Sequence, residues 1–394
     1  MQLRPKGKVS QALAAATYSL LSAGAQAVDK NTSWDFTHLH YAEEGRVTVK
    51  EQVIAYKREQ SDEKSFSFKL YHDSISGATP NGAPPGDTYT SPSGETYTGD
   101  PGVTPVLQFS DERIAASAEW QEQLSRRENR KLGLNISDEL DYTSVGGSYT
   151  LDRDTPNRMR TYHLGASISL DRINADGGIP TPLTLSTDMT RDTSDAKVAV
   201  DLLAGMTQVL SRKSLLQMNY TLGLSQGYLT DPYKVIRVVG DGGNNLQHEY
   251  RPDSRLGHSF YARGVFNRNG DVAKLSYRLY VDDWGIFSHT LEGRYRYKRK
   301  KSGWAIQPHL RIYTQSAANF YGYTFYEDTA VNHYASSDYR LGNLQTLTFG
   351  LSANRKLSRK REFGMRLEYM QQSDRAGWFD NVNTLIAQIS YKHK

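Results

Sequence analysis

The residues of this chain that could do chemistry are histidines and carboxylates, and their spacing suggests two kinds of site. His38 and His40 stand two residues apart, so they share one face of a strand and could both ligate a metal ion. No third ligand lies near them in sequence, and histidines that support structure or line a channel are the commoner case. Asp282, Asp283 and His289 are the types that a hydrolase uses to activate water or a nucleophile. Such groups are also common without chemistry, so the sequence predicts no metal site and no enzyme.

The elements that must carry these side chains are strands, because apolar residues return at every second position. The clearest segments alternate an apolar face with a polar face over about ten residues, the length of a tilted strand that crosses a bilayer. Their apolar positions are Leu347, Phe349, Leu351 and Ala353, then Phe363, Met365, Leu367 and Tyr369, then Leu385, Ala387, Ile389 and Tyr391. The predicted fold class is all-β, a closed, porin-like transmembrane antiparallel β-barrel of about 16 strands.

Alternation and turn signals together place the strands of this barrel. The sixteen predicted strands lie near residues 34–42, 46–59, 64–73, 112–122, 130–141, 143–152, 159–171, 196–208, 214–226, 258–268, 272–283, 288–300, 303–315, 345–356, 361–373 and 381–392. Every second connection is short, and the long connections are 74–111, 172–195, 227–257 and 316–344. All four long loops fall on one end, as in outer-membrane barrels, which have short periplasmic turns and long outer loops.

The first residues are typical of a secretory signal that is cleaved on export. A positively charged start is followed by an apolar stretch from Ala12 to Leu21 and by the small-x-small site Ala25-Gln26-Ala27. We therefore assign residues 1–27 to a signal peptide and residues 28–394 to the barrel. The expected location is the outer membrane of a Gram-negative bacterium, with outer-membrane lipid and the barrel assembly machinery as partners.

Composition agrees with this location. Hydrophobic residues make up 38% of the chain and the mean hydropathy is −0.64, too polar for a helical membrane bundle. The chain has 48 lysines and arginines against 43 aspartates and glutamates, and three of the cations lie in the signal. The mature part is therefore close to neutral, which does not indicate nucleic-acid binding. The absence of cysteine suits an exported protein and excludes thiolate sites.

Alternation also assigns the two faces of each strand. The side chains predicted to line the lumen are Lys274, Arg278, Asp282, Glu292, Arg294, Arg296, His309, Arg311, Arg366 and Glu368. A lumen with charges of both signs suits small hydrophilic solutes with a weak ion preference. Pro308 interrupts this pattern, because proline removes a ladder hydrogen bond, and it predicts a bulge or a local break in its strand.

Two loop segments are candidates for a constriction or a ligand site. The segment 73–83 combines turn formers with hydroxyl groups, and the segment 227–234 contains an Asp-Pro turn between tyrosines. The positions that we single out are Asp73, Ser76, Gly77, Asp231, Pro232 and Tyr233. The alternative is that both segments are structured surface loops and that their tyrosines are interfacial anchors.

Basic residues collect at two of the predicted periplasmic turns. The runs lie at 298–301 and 355–361. They form either a solvated basic rim or a docking surface for an acidic periplasmic partner, whose attraction would weaken with salt.

The segments 73–83, 227–234, 251–255 and 313–321, together with the signal, resemble the DUF3570 family of predicted outer-membrane barrels. The resemblance covers nearly the whole mature chain. It implies the barrel fold but no activity. Family members are similar to components of periplasmic redox gene neighbourhoods, so the resemblance also implies small lipoproteins, thioredoxin-like proteins or flavin transferases as partners.

Three functions are compatible with these observations. The first is a pore or transport channel for small hydrophilic solutes. The second is a non-enzymatic binding or scaffold barrel that works with periplasmic redox or lipoprotein partners. The third and weakest is a barrel hydrolase built on Asp282, Asp283 and His289. No cofactor is expected.

Overall fold

The computed structural model describes residues 32–80, 82–83, 88–90, 96–98, 106–241, 243–299, 302–326, 334–374 and 381–394. The predicted signal, Met1 to Ala27, lies outside the described residues. A single turn of 3-10 helix, Tyr339–Leu341, lies in the long loop 316–343. Among the described residues, no helix is both long enough and apolar enough to cross a bilayer.

Sixteen antiparallel strands close into one barrel, which confirms the predicted fold class. The strands are β1 Thr32–Glu43, β2 Val47–Glu59, β3 Lys64–Pro80, β4 Val106–Ser125, β5 Glu128–Asp138, β6 Tyr142–Asp154, β7 Arg160–Ile173, β8 Asp195–Ser211, β9 Ser214–Gly227, β10 Ser254–Arg268, β11 Asp271–Asp282, β12 Phe287–Lys298, β13 Trp304–Gln315, β14 Leu344–Lys356, β15 Arg361–Asp374 and β16 Asn381–His393. Each strand pairs with the next, and β16 pairs with β1, so that Tyr391 lies opposite Phe36. A closed ring leaves no strand edge unpaired in hydrocarbon.

Burial along the strands is the reverse of that in a soluble protein. In β14, Phe349 is 54% exposed and Leu351 is 52% exposed, whereas Thr346 and Thr348 are buried. Paired strands continue this arrangement, because Leu367 of β15 lies opposite Leu351. Apolar side chains therefore cover the outside and polar side chains fill the inside, as in a barrel that spans a membrane.

The connections at the two ends of the barrel differ in length, as predicted. One end, called the turn end here, has turns of two to five residues, and the other, called the loop end, carries every long connection. The long loops are 81–105, 174–194, 228–253 and 316–343. The predicted connection at 374–381 falls largely on residues 375–380, which lie outside the described residues.

The first long loop is shorter than predicted, because its flanking strands continue beyond the expected ends. Asp73, Ser76 and Gly77 lie within β3, and Ser76 pairs with Ser110 of β4. Backbone pairing needs no apolar side chain once a hairpin has left the bilayer, so the hydroxyl-rich sequence remains a strand. The prediction that Ser76 and Gly77 belong to a loop was wrong, whereas Asp73 lies in a strand, as the predicted strand 64–73 has it.

The prediction for Pro308 also needs correction. β13 runs through Pro308 without a bulge, and Pro308 pairs with Leu351 of β14. Pairing with β12 lapses only between Arg294–His309 and Tyr297–Ile306, and the register is the same on both sides of this gap. Because proline has no N–H group, β13 loses pairing only with β12 at this point, and its pairing with β14 continues.

The dry apolar core lies at the loop end rather than inside the barrel. Four buried clusters occur there among the described residues, and in one of them Ile236, Val238 and Ala335 are 0% exposed. The clusters contain Ala83, Val235 and Leu246; Ile236, Val238 and Ala335; Trp284, Ile286, Ala318 and Leu341; and Ile173, Ala175 and Ile179. We call the described residues of the four long loops the cap.

The cap extends over the opening of the barrel. Segment 235–240 pairs with 243–248 and with 324–326, so that loops 228–253 and 316–343 share one small sheet. Lys234 of the third long loop donates to the carbonyl oxygen of Pro80, at the end of β3. Because β3 and β9 are six positions apart in a ring of sixteen strands, this contact must cross most of the mouth.

We expect that Gly82→Ala loosens the cap. Gly82 has φ +97°, and a Cβ there would lie 2.1 Å from the carbonyl oxygen of Val235. The clash should destabilise the cap by about 1–3 kcal/mol. Gly243→Ala is the matched control, because Gly243 has φ +106° and open space around it. Proteinase cleavage of the loops in folded protein should accelerate only in Gly82→Ala, and equal rates in the two variants would contradict the docking of this hairpin.

Candidate functional site

A network of charged side chains, three of them buried and Arg340 exposed, joins the two largest loops of the cap. Arg251 of loop 228–253 donates to Asp338 of loop 316–343 at 2.9 Å, and Arg340 donates to Asp338 at 2.8 Å. Arg251 also lies 2.6 Å from Glu249, and Arg340 lies 2.7 Å from Asp231. We call these five residues the latch. Asp338 and Glu249 are each 1% exposed, so their partners rather than water must compensate for their burial.

Burial and pairing set the protonation of the two buried latch acids in opposite directions. Burial would raise the pKa of Asp338, but Arg340 and Arg251 outweigh it and hold that pKa below its usual range. For Glu249, burial dominates over the attraction of Arg251 and raises the pKa to about 7. Asp338 is therefore the fixed anion of the latch, and Glu249 is the group that titrates near neutrality.

Two more contacts attach the end of β3 and loop 174–194 to the latch region. Lys234 is 2% exposed, and burial lowers its pKa. It donates to Pro80 and thereby holds the β3 hairpin. Arg191 of loop 174–194 lies 3.1 Å from Nε2 of His248, whose pKa burial lowers to about 4. A neutral imidazole can accept that bond, so polar contacts join loop 174–194 and the end of β3 to loop 228–253.

The loop residues singled out from sequence have structural partners. Asp231 begins the predicted turn, since its carboxylate accepts from the backbone N–H of Tyr233 at 3.0 Å. The Tyr233 hydroxyl donates to Asp141 at 2.9 Å. Pro232 lies in the same turn. The segment therefore anchors loop 228–253 to the β5–β6 connection, 139–141, and its tyrosine contacts protein at the rim.

The three candidates on β3 also have defined places. Arg113 of β4 donates from Nε to Asp73 at 2.5 Å, so that carboxylate is paired. Ser76 is exposed. Gly77 has φ +144°, and a Cβ there would lie 2.1 Å from the carbonyl oxygen of Arg46, so only glycine lets the β1–β2 turn approach this closely.

The strand register places all ten predicted lumen residues on the inward face. It brings five of them together on β12, β13 and β15: Glu292, Arg294, His309, Arg366 and Glu368. Nδ1 of His309 lies 2.9 Å from Glu368, and its Nε2 lies 3.6 Å from Glu292. Arg294 donates to Glu292 at 2.6 Å, and Arg366 lies 3.8 Å from Glu368. The result is a mixed-charge wall that faces the lumen.

A glycine makes the contact between His309 and Glu368 possible. These residues lie on β13 and β15, with Gly350 of β14 directly between them. A Cβ at Gly350 would lie 2.5 Å from Cγ of Glu368. The absent side chain leaves the space through which the carboxylate reaches the imidazole.

We expect that Gly350→Ala displaces Glu368 and destabilises the barrel by about 1–3 kcal/mol. Gly293→Ala on β12 is the matched control, because a Cβ there would meet nothing within 4 Å. The midpoint of urea unfolding in lipid vesicles should fall for Gly350→Ala alone. Unchanged midpoints in both variants would show that the pair contributes nothing to stability.

The histidines and acids that suggested chemistry do not converge. His38 and His40 share the outward face of β1 with Phe36, since His38 pairs with Ile389 of β16. They therefore do not line the lumen. Asp282 points inward, where Arg255 donates to it at 2.5 Å.

The third member of the candidate hydrolase set, His289, lies on the opposite face. It pairs with Leu279 on the outward face, and its Nδ1 lies 2.6 Å from the Tyr277 hydroxyl. Asp283 accepts from the backbone N–H of Leu256 at 3.0 Å. Because His289 and Asp282 are on opposite sides of the sheet, these residues cannot act together on one substrate.

Sequence reasoning missed a relay near the turn end of the lumen. Nδ1 of His163 on β7 lies 2.7 Å from Asp152 on β6, and its Nε2 lies 2.9 Å from the hydroxyl of Thr207 on β8. Three neighbouring strands supply the three groups, so no spacing within one segment could have revealed it. Both ring nitrogens are occupied, which holds the imidazole in place and leaves neither nitrogen for a metal.

Sequence reasoning also missed a group of three carboxylates near the loop end. One oxygen from each of Asp111, Glu139 and Asp141 lies within 4.8 Å of the others. Burial, with the nearby charge of Asp111, raises the pKa of Glu139 to about 7. Asp111 accepts from the backbone N–H of Leu140 at 3.2 Å, and Asp141 accepts from Tyr233. Asp111 and Asp141 therefore accept hydrogen bonds from protein groups, and Glu139 is partly protonated near neutral pH.

The basic runs lie at the turn end, opposite the cap. The turn 299–303 and the turn 357–360 belong to that end, and the described cations there are exposed. Lys300 and Lys301 of the first run lie outside the described residues.

Comparison with known proteins finds structural similarities and one family model. The fold is similar to a solved structure described as a bacterial polysaccharide outer membrane secretin, with a TM-score of 0.48, 8% identity and coverage of 93% of this chain and 99% of that chain. It is also similar to OccD3 (OpdP) of Pseudomonas aeruginosa, with a TM-score of 0.44, 9% identity and coverage of 92% and 91%. No curated protein matches the sequence. A family model described as a protein of unknown function, DUF3570, matches residues 10–392.

Proposed function

We propose that this chain, which belongs to the DUF3570 family, is an outer-membrane channel for small hydrophilic solutes whose outer mouth is closed by the cap. The observation that carries the proposal is the combination of a polar lumen with a cap that spans the mouth. Inward positions carry charged and hydroxyl side chains along the barrel, which a dry structural core would not need. Water and polar solutes can use such a surface when the cap moves.

The cap supports a gated rather than a permanently open channel. Its loops are held together by a few polar contacts. In the closed cap these charged groups pair with each other, and in an open cap they would be hydrated instead, so the cap can exist in two states. The long loops of outer-membrane barrels face the exterior, so the cap would control entry from outside.

Planar bilayers test this function directly. Purified wild-type protein should show rare, discrete openings, and loosening the cap with Gly82→Ala should make openings frequent at the same unit conductance. Gly243→Ala should behave as wild type. A protein that stays silent in both wild-type and loosened forms, while still folded in the membrane, is not a channel.

A second role is favoured by the charge at the turn end, which would face the periplasm. The turn 357–360 and the adjoining ends of β14 and β15 carry five cations and the single acid Glu362. The cations are Arg355, Lys356, Arg359, Lys360 and Arg361. This concentration of cations would attract an acidic periplasmic partner, with small lipoproteins or thioredoxin-like proteins as the candidates.

Salt and charge reversal test this docking. An acidic partner should co-purify at low salt and should be lost when Arg359, Lys360 and Arg361 are changed to glutamate. Reversal of Arg126 and Arg127, at another turn of the same end, is the control. Capture that survives both high salt and the reversal would exclude an electrostatic docking site.

A further inference from the structure

Inward-facing cations are concentrated on one part of the lumen wall, where few acids accompany them. The register places eight inward-facing cations on four consecutive strands, β10 to β13; one of them, Arg255, pairs with Asp282, and another, Lys298, lies at the turn end. The remaining six, called the cationic wall here, are Arg263, Lys274, Arg278, Arg294, Arg296 and Arg311. Lys274, Arg278 and Arg296 are exposed to the lumen.

Several of these cations are forced close to each other by the strand register. Lys274 lies directly opposite Arg294, and Arg263 lies opposite Ser276, which separates Lys274 from Arg278 on the same face. Like charges that lie directly opposite on a sheet repel each other and destabilise it. A folded barrel that holds these cations side by side therefore needs negative charge near them.

The described protein supplies little of that charge. Glu292 lies opposite Arg311 and accepts from Arg294 at 2.6 Å. Among the described residues, the other five cations of the wall form no ion pair. One carboxylate therefore faces six cations, so that the wall keeps a net positive charge.

Elsewhere in the lumen, several cations form ion pairs with acids. Lys197 of β8 lies 3.7 Å from Asp171, and Lys131 of β5 lies 3.8 Å from Asp152. The surplus on β10 to β13 is therefore a local feature and not a property of the whole lumen. A mobile anion from solution would supply the missing charge.

The side chains also have the chemistry of oxyanion binding. Five of the six are arginines, whose planar guanidinium groups bind carboxylate and phosphate with two parallel hydrogen bonds. Aromatic rings support two of them: Arg278 lies 5.7 Å from the ring centre of Tyr261, and Arg311 lies 5.5 Å from that of Tyr313. Stacking fixes the plane of the guanidinium and leaves its N–H groups for a ligand.

We propose that the cationic wall binds small oxyanions, carboxylates or phosphates, and that these are the solutes that the lumen favours. The proposal rests on the proposed channel function and names its substrate class. Anions would move from one arginine to the next along the wall, while the mixed-charge remainder of the lumen keeps the solute hydrated.

Citrate is a suitable carboxylate probe, and inorganic phosphate is the second probe. In bilayers containing the Gly82→Ala channel, added citrate should reduce the current in a saturable manner. The double change Lys274→Gln with Arg278→Gln should weaken this block at least about tenfold, since each removes a charge-assisted hydrogen bond. The matched control, Lys131→Gln with Lys197→Gln, removes two paired lumen cations and should change the block less than about twofold.

Calorimetric titration of citrate and phosphate into the detergent-solubilised protein separates the two proposals. Binding that depends on Lys274 and Arg278 in a protein that never conducts would support the oxyanion site and reject the channel. Conduction without block, or block and binding that are equal in both double variants, would reject the oxyanion site and leave the channel standing.

Discussion

Replacing Asp338 with asparagine is expected to open the cap. The change keeps the shape of the side chain but removes the anion that Arg251 and Arg340 share at 2.9 Å and 2.8 Å. Removing one partner of a buried ion pair leaves an uncompensated charge and typically costs about 3–5 kcal/mol. Arg251 is 9% exposed, so it cannot regain its hydration while the loops stay closed.

A cost of this size corresponds to a change of more than about a hundredfold in the ratio of open to closed caps. We expect frequent openings in planar bilayers and rapid proteinase cleavage of loops 228–253 and 316–343 in folded protein. Asp241→Asn is the control, because Asp241 is an exposed aspartate in loop 228–253, the other loop of the latch. Wild-type gating and wild-type cleavage in Asp338→Asn would show that the latch does not hold the loops closed.

The barrel could be predicted from the sequence because its signal is local. The alternation in segments such as 347–353 depends on neighbouring residues alone, and the strand length is fixed by the bilayer. All sixteen predicted strands are present, and their ends differ mainly where β3 and β4 extend past the expected membrane boundary to Pro80 and from Val106. Pairing between strands then follows from chain order, because hairpins join neighbours.

The cap could not be predicted, because its contacts join distant parts of the chain. Arg251 and Asp338 are separated by 87 positions, and Lys234 and Pro80 by 154. Each residue alone resembles an ordinary charged loop residue. Only the folded loops show that these charges are buried.

The lumen was more predictable than the cap and less predictable than the barrel. Alternation gives the face of Glu292 or Arg311, but it does not tell which inward residues meet across three strands, as His309, Gly350 and Glu368 do. The outward orientation of His38 could have been predicted from Phe36, which lies two residues earlier and therefore on the same face of β1. The assignment of faces strand by strand therefore contains information that a search for ligand types alone overlooks.

Protonation of Glu249 is expected to make cap stability depend on pH. Burial raises the pKa of Glu249 to about 7 in the closed cap, above its ordinary value of 4.5. Between these values the closed cap binds more protons than the open one, so the contribution of Glu249 to closure falls as pH rises. The difference corresponds to about 3 kcal/mol across the window.

Glu249→Gln isolates this contribution, because glutamine keeps the shape and the acceptor that receives the N–H of Asp231 at 2.9 Å. His248 acts in the opposite sense, since burial lowers its pKa to about 4 and the open loops gain a proton below 6.5. The test is therefore the difference between wild type and Glu249→Gln, in which the effect of His248 cancels. Open probability in wild type should rise relative to the variant between pH 4.5 and 7. A constant ratio across this range would show that Glu249 does not exchange a proton when the cap moves.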